Sequence, residues 1–359
     1  YYRPYKAVFF LDLLCAALIS LVDLAYPQLL RWATNGLFTG APETILSGLI
    51  PIGLALLAAY VIQALCKYYV SYQGHMMGAN MERDMRQRLF DHYETLSFSY
   101  YDANNSGQMM SKLVSDLFDI SEMAHHGPEN LFISLVKIVG SFIFLFLINW
   151  KLALMLAVVV IIMFFCSFFQ NGRMQATFLE NRKKIGDVNA SLQDTLAGIR
   201  VVQSFANEDI ERRKFQGSNE AFLRSKNENY RCMGTFASSH TFFQGLMYLV
   251  TLVCGGILIA NGQMDVADLA MYALYIGIFI SPIQVLVELT ETLQKGFSGF
   301  RRYQAVLDTV PDIQDAPDAS PLPAVKGEVA YNDVTFRYED DEPVLSHLSF
   351  HIPAGRSVA

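Results

Sequence analysis

The feature that most constrains this chain is a succession of six long apolar stretches. A helix needs about 20 predominantly apolar residues to cross a bilayer. We place the predicted spans at Ala7–Leu37, Ile45–Tyr72, Leu131–Asn149, Leu152–Gln170, Phe236–Ala260 and Leu269–Leu293. Only 17% of the 359 residues are charged, whereas soluble domains carry about 25%. The sequence therefore predicts a membrane protein.

The polar sequence after the second and fourth spans keeps a helical pattern. Between Tyr72 and Ser97, and between Arg173 and Arg231, apolar residues recur at helical spacing and prolines are few. The helices are therefore expected to continue beyond the membrane on one side. From Gln170 to Phe205 there are about 35 residues, which as a helix would span roughly 50 Å.

The distribution of Lys and Arg predicts the orientation. The predicted loops Gly36–Thr44 and Asn261–Asp268 contain neither residue, and the turn before the fourth span contains only Lys151. The two long polar connections are rich in both. Because Lys and Arg concentrate on the cytoplasmic side, we predict that these connections and both termini are cytoplasmic.

The sequence from Gly327 to Ala359 has a different character. Apolar residues alternate from Val329 to Tyr338, as in a β-strand. A polar turn, Glu339–Pro343, precedes a second run at Val344–Ile352, and Arg356–Ala359 would begin a further strand. This part is therefore predicted to be soluble β-structure.

Motifs in both parts of the chain resemble those of ABC exporters of the type IV fold. Leu96–Asp102, with Ser106-Gly107-Gln108 and Asp116 after it, resembles the first intracellular loop of that family, and Gly198–Glu208 resembles the second. The C-terminal stretch resembles the opening of the nucleotide-binding domain at Phe336-Arg337-Tyr338, Val344-Leu345, Ser349-Phe350 and Gly355–Ala359. The resemblance covers the whole chain and is to a half-transporter.

The resemblance implies an all-α membrane domain of six long transmembrane helices with cytoplasmic extensions. The N-terminal β-strands of an α/β ABC ATPase domain would follow. We assign residues 1–310 to the transmembrane domain, 311–324 to a linker that includes the acidic, proline-rich Asp315–Pro323, and 325–359 to the start of the nucleotide-binding domain. No G-x-x-x-x-G-K-[S/T] loop occurs in the sequence. We therefore expect no catalytic residues in this stretch.

The family implies ATP-driven export of an amphipathic substrate, such as a drug, lipid or peptide, by alternating access. The transporter would be an ABC-type ATPase in the cell (inner or plasma) membrane, a dimer with the same or a related half-transporter. ATP and Mg²⁺ would bind mostly outside this stretch. The net charge of −7 gives no indication of nucleic acid. Two alternatives stay open: an importer of the same fold with a siderophore-like substrate, and a non-pumping regulator or channel.

The resemblance also assigns roles to individual residues. Tyr338 is expected to stack on the adenine of ATP. Tyr101, Asp102, Phe205 and Glu208 lie in the two cytoplasmic turns and are expected to couple the membrane domain to the ATPase domains. In the family, the second turn contacts the partner's soluble domain.

Ionisable residues inside the spans are candidates for substrate contact, because such residues usually face a partner or a water-filled cavity. The candidates that we select are Asp23, Lys137, His240 and Glu288; Asp12 and Glu291 also lie within or at the ends of the spans. Asp23 and Lys137 each lie about 13 residues from the outer end of their spans, roughly 20 Å deep, so we predict that they form an ion pair. His240 and Glu288 each lie about 20 residues from the outer loop between their spans, roughly 30 Å.

Metal and disulfide chemistry are not expected. The five cysteines are widely spaced within or beside apolar runs and form no disulfide pattern. His125, His126 and His240 have no metal-binding spacing with other His or Cys residues. The sequence therefore predicts no metal site.

Overall fold

The structure is a computed structural model that describes residues 1–338 and 342–358. Contacts divide the chain into two units, Tyr1–Val310 and Pro311–Ala359. Each unit is described by itself. Part of the predicted polar turn, Glu339 to Asp341, and the last residue of the predicted third strand, Ala359, lie outside the described residues.

The first unit is helical, and the described residues include six helices long and apolar enough to cross a membrane. The helices of this unit are α1 (Lys6–Asn35), α2 (Pro42–Tyr69), α3 (His75–Thr95), α4 (Phe98–Ala103), α5 (Ser106–Ser111), α6 (Leu117–Ile148), α7 (Trp150–Ala197), α8 (Ile199–Ser204), α9 (Glu208–Ala260) and α10 (Val266–Leu307). The predicted membrane fold is confirmed.

Several helices are much longer than a bilayer requires. The π-helical turn Val70–Gly74 joins α2 to α3, and a second one, Lys112–Asp116, joins α5 to α6. α7 has 48 residues and α9 has 53, which correspond to roughly 70–80 Å, against a hydrocarbon core of about 30 Å. The predicted continuation of the helices beyond the membrane is confirmed.

Buried tyrosines fasten α10 to the neighbouring helices within the apolar core. The Tyr272 hydroxyl lies 2.8 Å from the carbonyl oxygen of Leu145 and 2.7 Å from that of Asn149, at the end of α6. The Tyr275 hydroxyl donates to the carbonyl of Leu24 on α1 at 2.9 Å. Both tyrosines are fully buried. Because a buried hydroxyl without a partner would cost about 1–3 kcal/mol, these bonds favour one arrangement of the three helices.

A second core lies among the helical extensions. Its buried members are Met85, Leu89, Tyr93, Leu96, Leu117, Ile120, Tyr303 and Val306. Beside it, the Arg302 guanidinium contacts both carboxylate oxygens of Asp116 at 2.7 Å. Such bidentate pairs fix orientation as well as distance, so α10 is held in register with the π-turn before α6.

The ends of the helices explain two tight connections. The Asn149 side chain accepts from the N–H groups of Lys151 and Leu152, at 3.1 and 3.3 Å, and so caps α7. Asp265 and Asp268 form a reciprocal capping box at the start of α10. Such caps satisfy N–H groups that have no partner within the helix.

The second unit contains an antiparallel pair, β1 (Val329–Phe336) and β2 (Leu345–Ile352). Across the pair, the Tyr331 and Phe350 rings stack with centroids 4.4 Å apart. The two predicted strand runs are therefore confirmed. The expected further strand is not formed, since Arg356–Val358 have no strand conformation. A strand needs a neighbour to hydrogen-bond with, and none lies beside this segment in the described chain.

Candidate functional site

The predicted ion pair in the membrane is present. Lys137 Nζ on α6 lies 2.6 Å from Asp23 Oδ2 on α1. Gln63 on α2 donates to the other carboxylate oxygen, Asp23 Oδ1, at 2.7 Å. Each charge therefore has a polar partner, and the three interacting side chains come from three different helices.

The packing around this pair brings α1 and α6 close together. A Cβ atom built on Gly140 would lie 2.5 Å from Leu24 Cδ1. Gly140 is three residues after Lys137, and Leu24 follows Asp23, so the close approach lies next to the ion pair. Small residues commonly allow membrane helices to approach in this way. The pair is thus built into a tight helix contact, and its contact with substrate stays a prediction.

His240 and Glu288 are not joined by a hydrogen bond or ion pair in the described structure. His240 Nε2 is buried and has no hydrogen-bond partner there. Glu288 is exposed and accepts from Gln284, one turn earlier on α10, at 2.8 Å. His240 Nε2 is thus available to another group, whereas Glu288 already has a partner on its own helix, and the substrate role of both residues stays a prediction.

Sequence reasoning missed two polar contacts next to His240 and Glu288 in the chain. Gln170 on α7 donates to Ser239 Oγ on α9 at 2.9 Å. The buried Asn171 donates to the carbonyl of Val287 on α10 at 3.1 Å. A pair of amides, Gln170 and Asn171, at the end of the fourth predicted span was the available signal. These bonds connect α7 to both of the helices that carry His240 and Glu288.

The first of the two turns that we predict to be cytoplasmic is the short helix α4 and the residues that follow it. The Tyr101 hydroxyl donates to the carbonyl of Tyr93 near the end of α3, so Tyr101 holds α4 against that helix. Burial raises the pKa of the neighbouring Tyr100 phenol. Asp102 is exposed. Asn105 caps α5 by accepting from the N–H of Gly107 at 2.7 Å.

The second of these predicted cytoplasmic turns lies between α8 and α9. Phe205 follows α8 directly, and its side chain is 73% exposed. Ala206 turns the chain with a positive φ of 52°, and Glu208 begins α9. Thr195 Oγ1 on α7 donates to Glu211 Oε2 at 2.6 Å, which ties the two long helices together next to the turn. The turn therefore exposes the Phe205 ring at a position where α7 and α9 are held together by a hydrogen bond.

Tyr338 follows β1 in the second unit. Its side chain is 62% exposed, and its ring packs edge-on against Phe336 with centroids 5.0 Å apart. A flat exposed ring can stack on a nucleobase, a contact worth about 1–3 kcal/mol. The arrangement is compatible with the predicted adenine contact, which stays a prediction.

One cluster has no counterpart among the expected sites. His75 at the start of α3 meets His125 and His126 on α6, and their ligand atoms all lie within 4.8 Å of one another. The expectation of no metal site considered only residues close in sequence. His75 is brought to the pair by the packing of two helices, which sequence spacing does not reveal.

Comparisons with known proteins agree on one family. The family model described as the ABC transporter transmembrane region matches residues 9–283. An uncharacterized ABC transporter ATP-binding protein, YwjA of Bacillus subtilis (strain 168), is 36% identical over 359 residues, which is 100% of this chain and 62% of that protein.

Two more distant relatives have names that describe an activity. A putative multidrug export ATP-binding/permease protein, YgaD of Bacillus subtilis (strain 168), is 25% identical over 99% of this chain and 62% of its own. An ATP-dependent lipid A-core flippase of Syntrophus aciditrophicus (strain SB) is 22% identical over 99% of this chain and 59% of its own. The chain thus spans about three fifths of the relatives' length. Its six apolar helices, its long helical extensions and these matches show that the chain belongs to the ABC transporter transmembrane family.

Proposed function

We propose that the full-length protein exports an amphipathic molecule, a lipid or a drug-like compound, by ATP-driven alternating access. The observation that carries this proposal is the similarity of the whole chain to ABC transporters. Two relatives are named as a multidrug export protein and a lipid A-core flippase. We infer that ATP and Mg²⁺ bind the full-length nucleotide-binding domain and that the termini are cytoplasmic.

The working unit would be a dimer of two half-transporters, because the family builds each ATP site from two ATPase domains. In this mechanism the cytoplasmic turns at Tyr101–Asp102 and Phe205–Glu208 transmit movement of the ATPase domains to the helices. The exposed Phe205 ring supports such a role. Burying a phenylalanine side chain in a docking pocket would contribute about 1.5–3 kcal/mol.

The membrane charges would act in the substrate pathway. The Asp23–Lys137 pair joins α1 to α6, and a zwitterionic headgroup could exchange with these paired charges as the helices separate. His240 and Glu288 lie on α9 and α10, and the buried His240 Nε2 has an unused hydrogen-bonding position. These four residues form our proposed set of substrate contacts.

The test is transport by the full-length protein reconstituted in liposomes, with a fluorescent phospholipid and an amphipathic dye as probes. ATP hydrolysis stimulated by a probe, together with its movement toward the side opposite the ATPase domains, would support export. Movement in the opposite direction would indicate an importer. ATP hydrolysis without movement of any probe would indicate a regulator or channel.

A matched pair of variants tests coupling in the same assay. Phe205→Ala should lower transport per ATP hydrolysed, because the docking contact is lost. Leu223→Ala removes a similarly exposed apolar side chain, 65% exposed on α9, away from the turn. This control should transport like the wild type. Equal loss in both variants would contradict a specific coupling role for Phe205.

A further inference from the structure

Three histidines from two helices meet beside a cavity of about 400 Å³ lined in part by His75 and His126. The ring centroid of His75 lies 4.9 Å from the ring centroid of His125 and 4.9 Å from that of His126. His75 is exposed, whereas the His125 side chain is only 4% exposed. The cluster therefore has one side open to the cavity and one side fixed in the protein interior.

The buried histidine is oriented as a ligand. His125 Nδ1 lies 2.8 Å from the carbonyl oxygen of Ser121, and because a carbonyl only accepts, this nitrogen carries the proton. The lone pair is therefore on Nε2, which is buried and has no hydrogen-bond partner in the described structure. Metal-binding histidines usually donate their other N–H in this way. A metal ion at Nε2 would explain an atom that is otherwise left unsatisfied.

The backbone of α3 is shaped to admit this ring. A Cβ atom on Gly78 would lie 2.8 Å from His125 Nδ1 and 2.9 Å from Ser121 Oγ, which is closer than side-chain atoms can pack. The π-helical turn Val70–Gly74 directly precedes His75, and such turns often mark functional sites because they change the direction of the following side chains. Glycine and the π-turn together bring α3 and its histidine onto α6.

Carboxylates surround the cluster and favour a cation. Glu122 Oε2 lies 3.7 Å from His126 Nε2, and Glu129 Oε2 lies 3.7 Å from His126 Nδ1. Both distances are too long for hydrogen bonds, so the imidazole and both carboxylates remain available. Asp12 on α1 is also buried, and its Oδ1 has no partner in the described chain.

Two lysines that line the same cavity disfavour a bound cation. Lys67 and Lys295 line it together with the acidic residues, and Lys295 is paired with Glu291 at 2.5 Å. Lys67 alone therefore opposes a bound cation without an ion-pair partner in the described structure, whereas Asp12, Glu122 and Glu129 all favour one. The local charge balance is negative.

We propose that His75, His125 and His126 bind one divalent transition-metal ion, with Glu122 or Glu129 as a fourth ligand. Imidazole nitrogens select Zn²⁺ and its first-row neighbours over Mg²⁺ and Ca²⁺, which prefer oxygen ligands. Tetrahedral Zn²⁺ with Zn–N bonds of about 2.0–2.1 Å holds its nitrogens about 3.4 Å apart. The ligand atoms lie within 4.8 Å of one another, so the nitrogens would move together by up to about 1.4 Å on binding the ion, and the exposed His75 side chain has room to do so.

The ion would fasten α3 to α6. In the described structure, the ring contacts of these histidines and the close approach at Gly78 already bring the two helices together there. A metal bridge would stabilise the arrangement in which the two helices touch. This inference does not depend on which molecule is transported or in which direction.

The test uses full-length protein purified without a histidine tag and stripped with a chelator. Equilibrium dialysis against Zn²⁺, followed by elemental analysis, should find one Zn²⁺ per chain that a large excess of Mg²⁺ does not displace. Co²⁺ should give the intense visible absorption of a tetrahedral site. Zn²⁺ should also raise the melting temperature, because a ligand that binds only the folded state stabilises it.

His75→Ala is the decisive variant, because an exposed side chain can be removed without disturbing the core. It should weaken Zn²⁺ binding by about tenfold or more and abolish the shift in melting temperature. His92→Gln, on the same helix but away from the cluster, should bind like the wild type. Gly78→Ala should weaken binding by displacing His125.

The proposal would be overturned if the stripped wild-type protein held no more Zn²⁺ after dialysis against Zn²⁺ than before it. So would wild-type binding by His75→Ala, because the ion would then lie elsewhere. Equal loss of binding in His92→Gln and His75→Ala would also contradict it, since it would indicate general damage to α3.

Discussion

Single residues in the membrane part of this chain act through partners on other helices. Asp23 contacts both Lys137 and Gln63, which come from α6 and α2. An unpaired charge at the centre of a membrane helix costs about 2.5–3.5 kcal/mol on insertion scales. The pair therefore reduces a penalty that each residue would otherwise impose on its own helix.

A double-mutant cycle tests this coupling. Asp23→Asn and Lys137→Met should each lower the melting temperature of the detergent-solubilised full-length protein, because each leaves one charge without its partner. The double variant should lose less stability than the sum of the single losses, with a coupling energy of about 0.5–3 kcal/mol. As a control, the same cycle is measured with Arg173→Met and Glu180→Gln, two residues outside the pair whose effects on stability should simply add. Simple additivity of the Asp23 and Lys137 effects would contradict a functional ion pair.

Tyr338 gives a second prediction for a single residue. In the full-length protein, Tyr338→Ala should raise the KM for ATP several-fold with a smaller change in kcat, because stacking on adenine is a ground-state contact. Tyr338→Phe should behave like the wild type, since the ring face is sufficient. Steady-state ATPase kinetics and direct ATP titration measure both. An unchanged KM and affinity in Tyr338→Ala would remove this residue from the ATP site.

At the level of helices, close contact between α6 and α10 depends on glycine. A Cβ atom on Gly296 would lie 2.3 Å from Met123 Cβ, and one on Gly299 would lie 3.0 Å from the carbonyl oxygen of Asp116. Neither neighbour is the far end of a flexible side chain. The Asp116–Arg302 pair lies beside this contact, so separating the helices would disturb both packing and electrostatics.

Gly296→Ala should therefore destabilise the protein by about 1–3 kcal/mol through overpacking, less up to about 1 kcal/mol of improved helix propensity. Gly256→Ala is the matched control, because no atom of the described structure beyond its own stretch of helix backbone lies within 4 Å of its Cβ position and only the gain in propensity applies. Thermal unfolding in detergent should show shifts in melting temperature that are opposite in sign or clearly unequal for the two variants. Equal shifts would mean that the α6–α10 contact adapts without strain.

The helices were predictable from sequence because the bilayer dictates the length and composition of a span. The continuation of α7 and α9 was predictable from periodicity. The π-turns before α3 and α6 were not, since one extra residue in a turn leaves no compositional signal. The contact between His75 and His125 could not be predicted from sequence either, because it depends on how closely Gly78 lets two helices that are far apart in sequence pack together.

For the whole molecule, the ion pair could be predicted because the depth of residues in the membrane can be compared between different helices. Counting residues from the outer loops placed Asp23 and Lys137 at the same level, and the structure joins them at 2.6 Å. The same reasoning matched His240 with Glu288 in depth, but these two are not bonded to each other in the described structure. Depth does not specify the direction of a side chain around its helix, so it could identify candidates but not contacts.

The assembly of two chains leads to the last prediction. The turn at Phe205 is exposed at the end of two long helices that contact each other closely, and we propose that it docks on the partner's ATPase domain. In a full-length protein without its native cysteines, Phe205→Cys should crosslink to that domain through a short bifunctional reagent. Dimers mixed from isotopically heavy and light chains distinguish the two routes by mass spectrometry. Docking on the partner predicts crosslinked peptides that join heavy to light chains in about half of the products, whereas crosslinks confined to one chain would contradict it. Leu223→Cys, exposed on α9 away from the turn, should give far fewer crosslinks to that domain, because proximity and not exposure alone determines the yield.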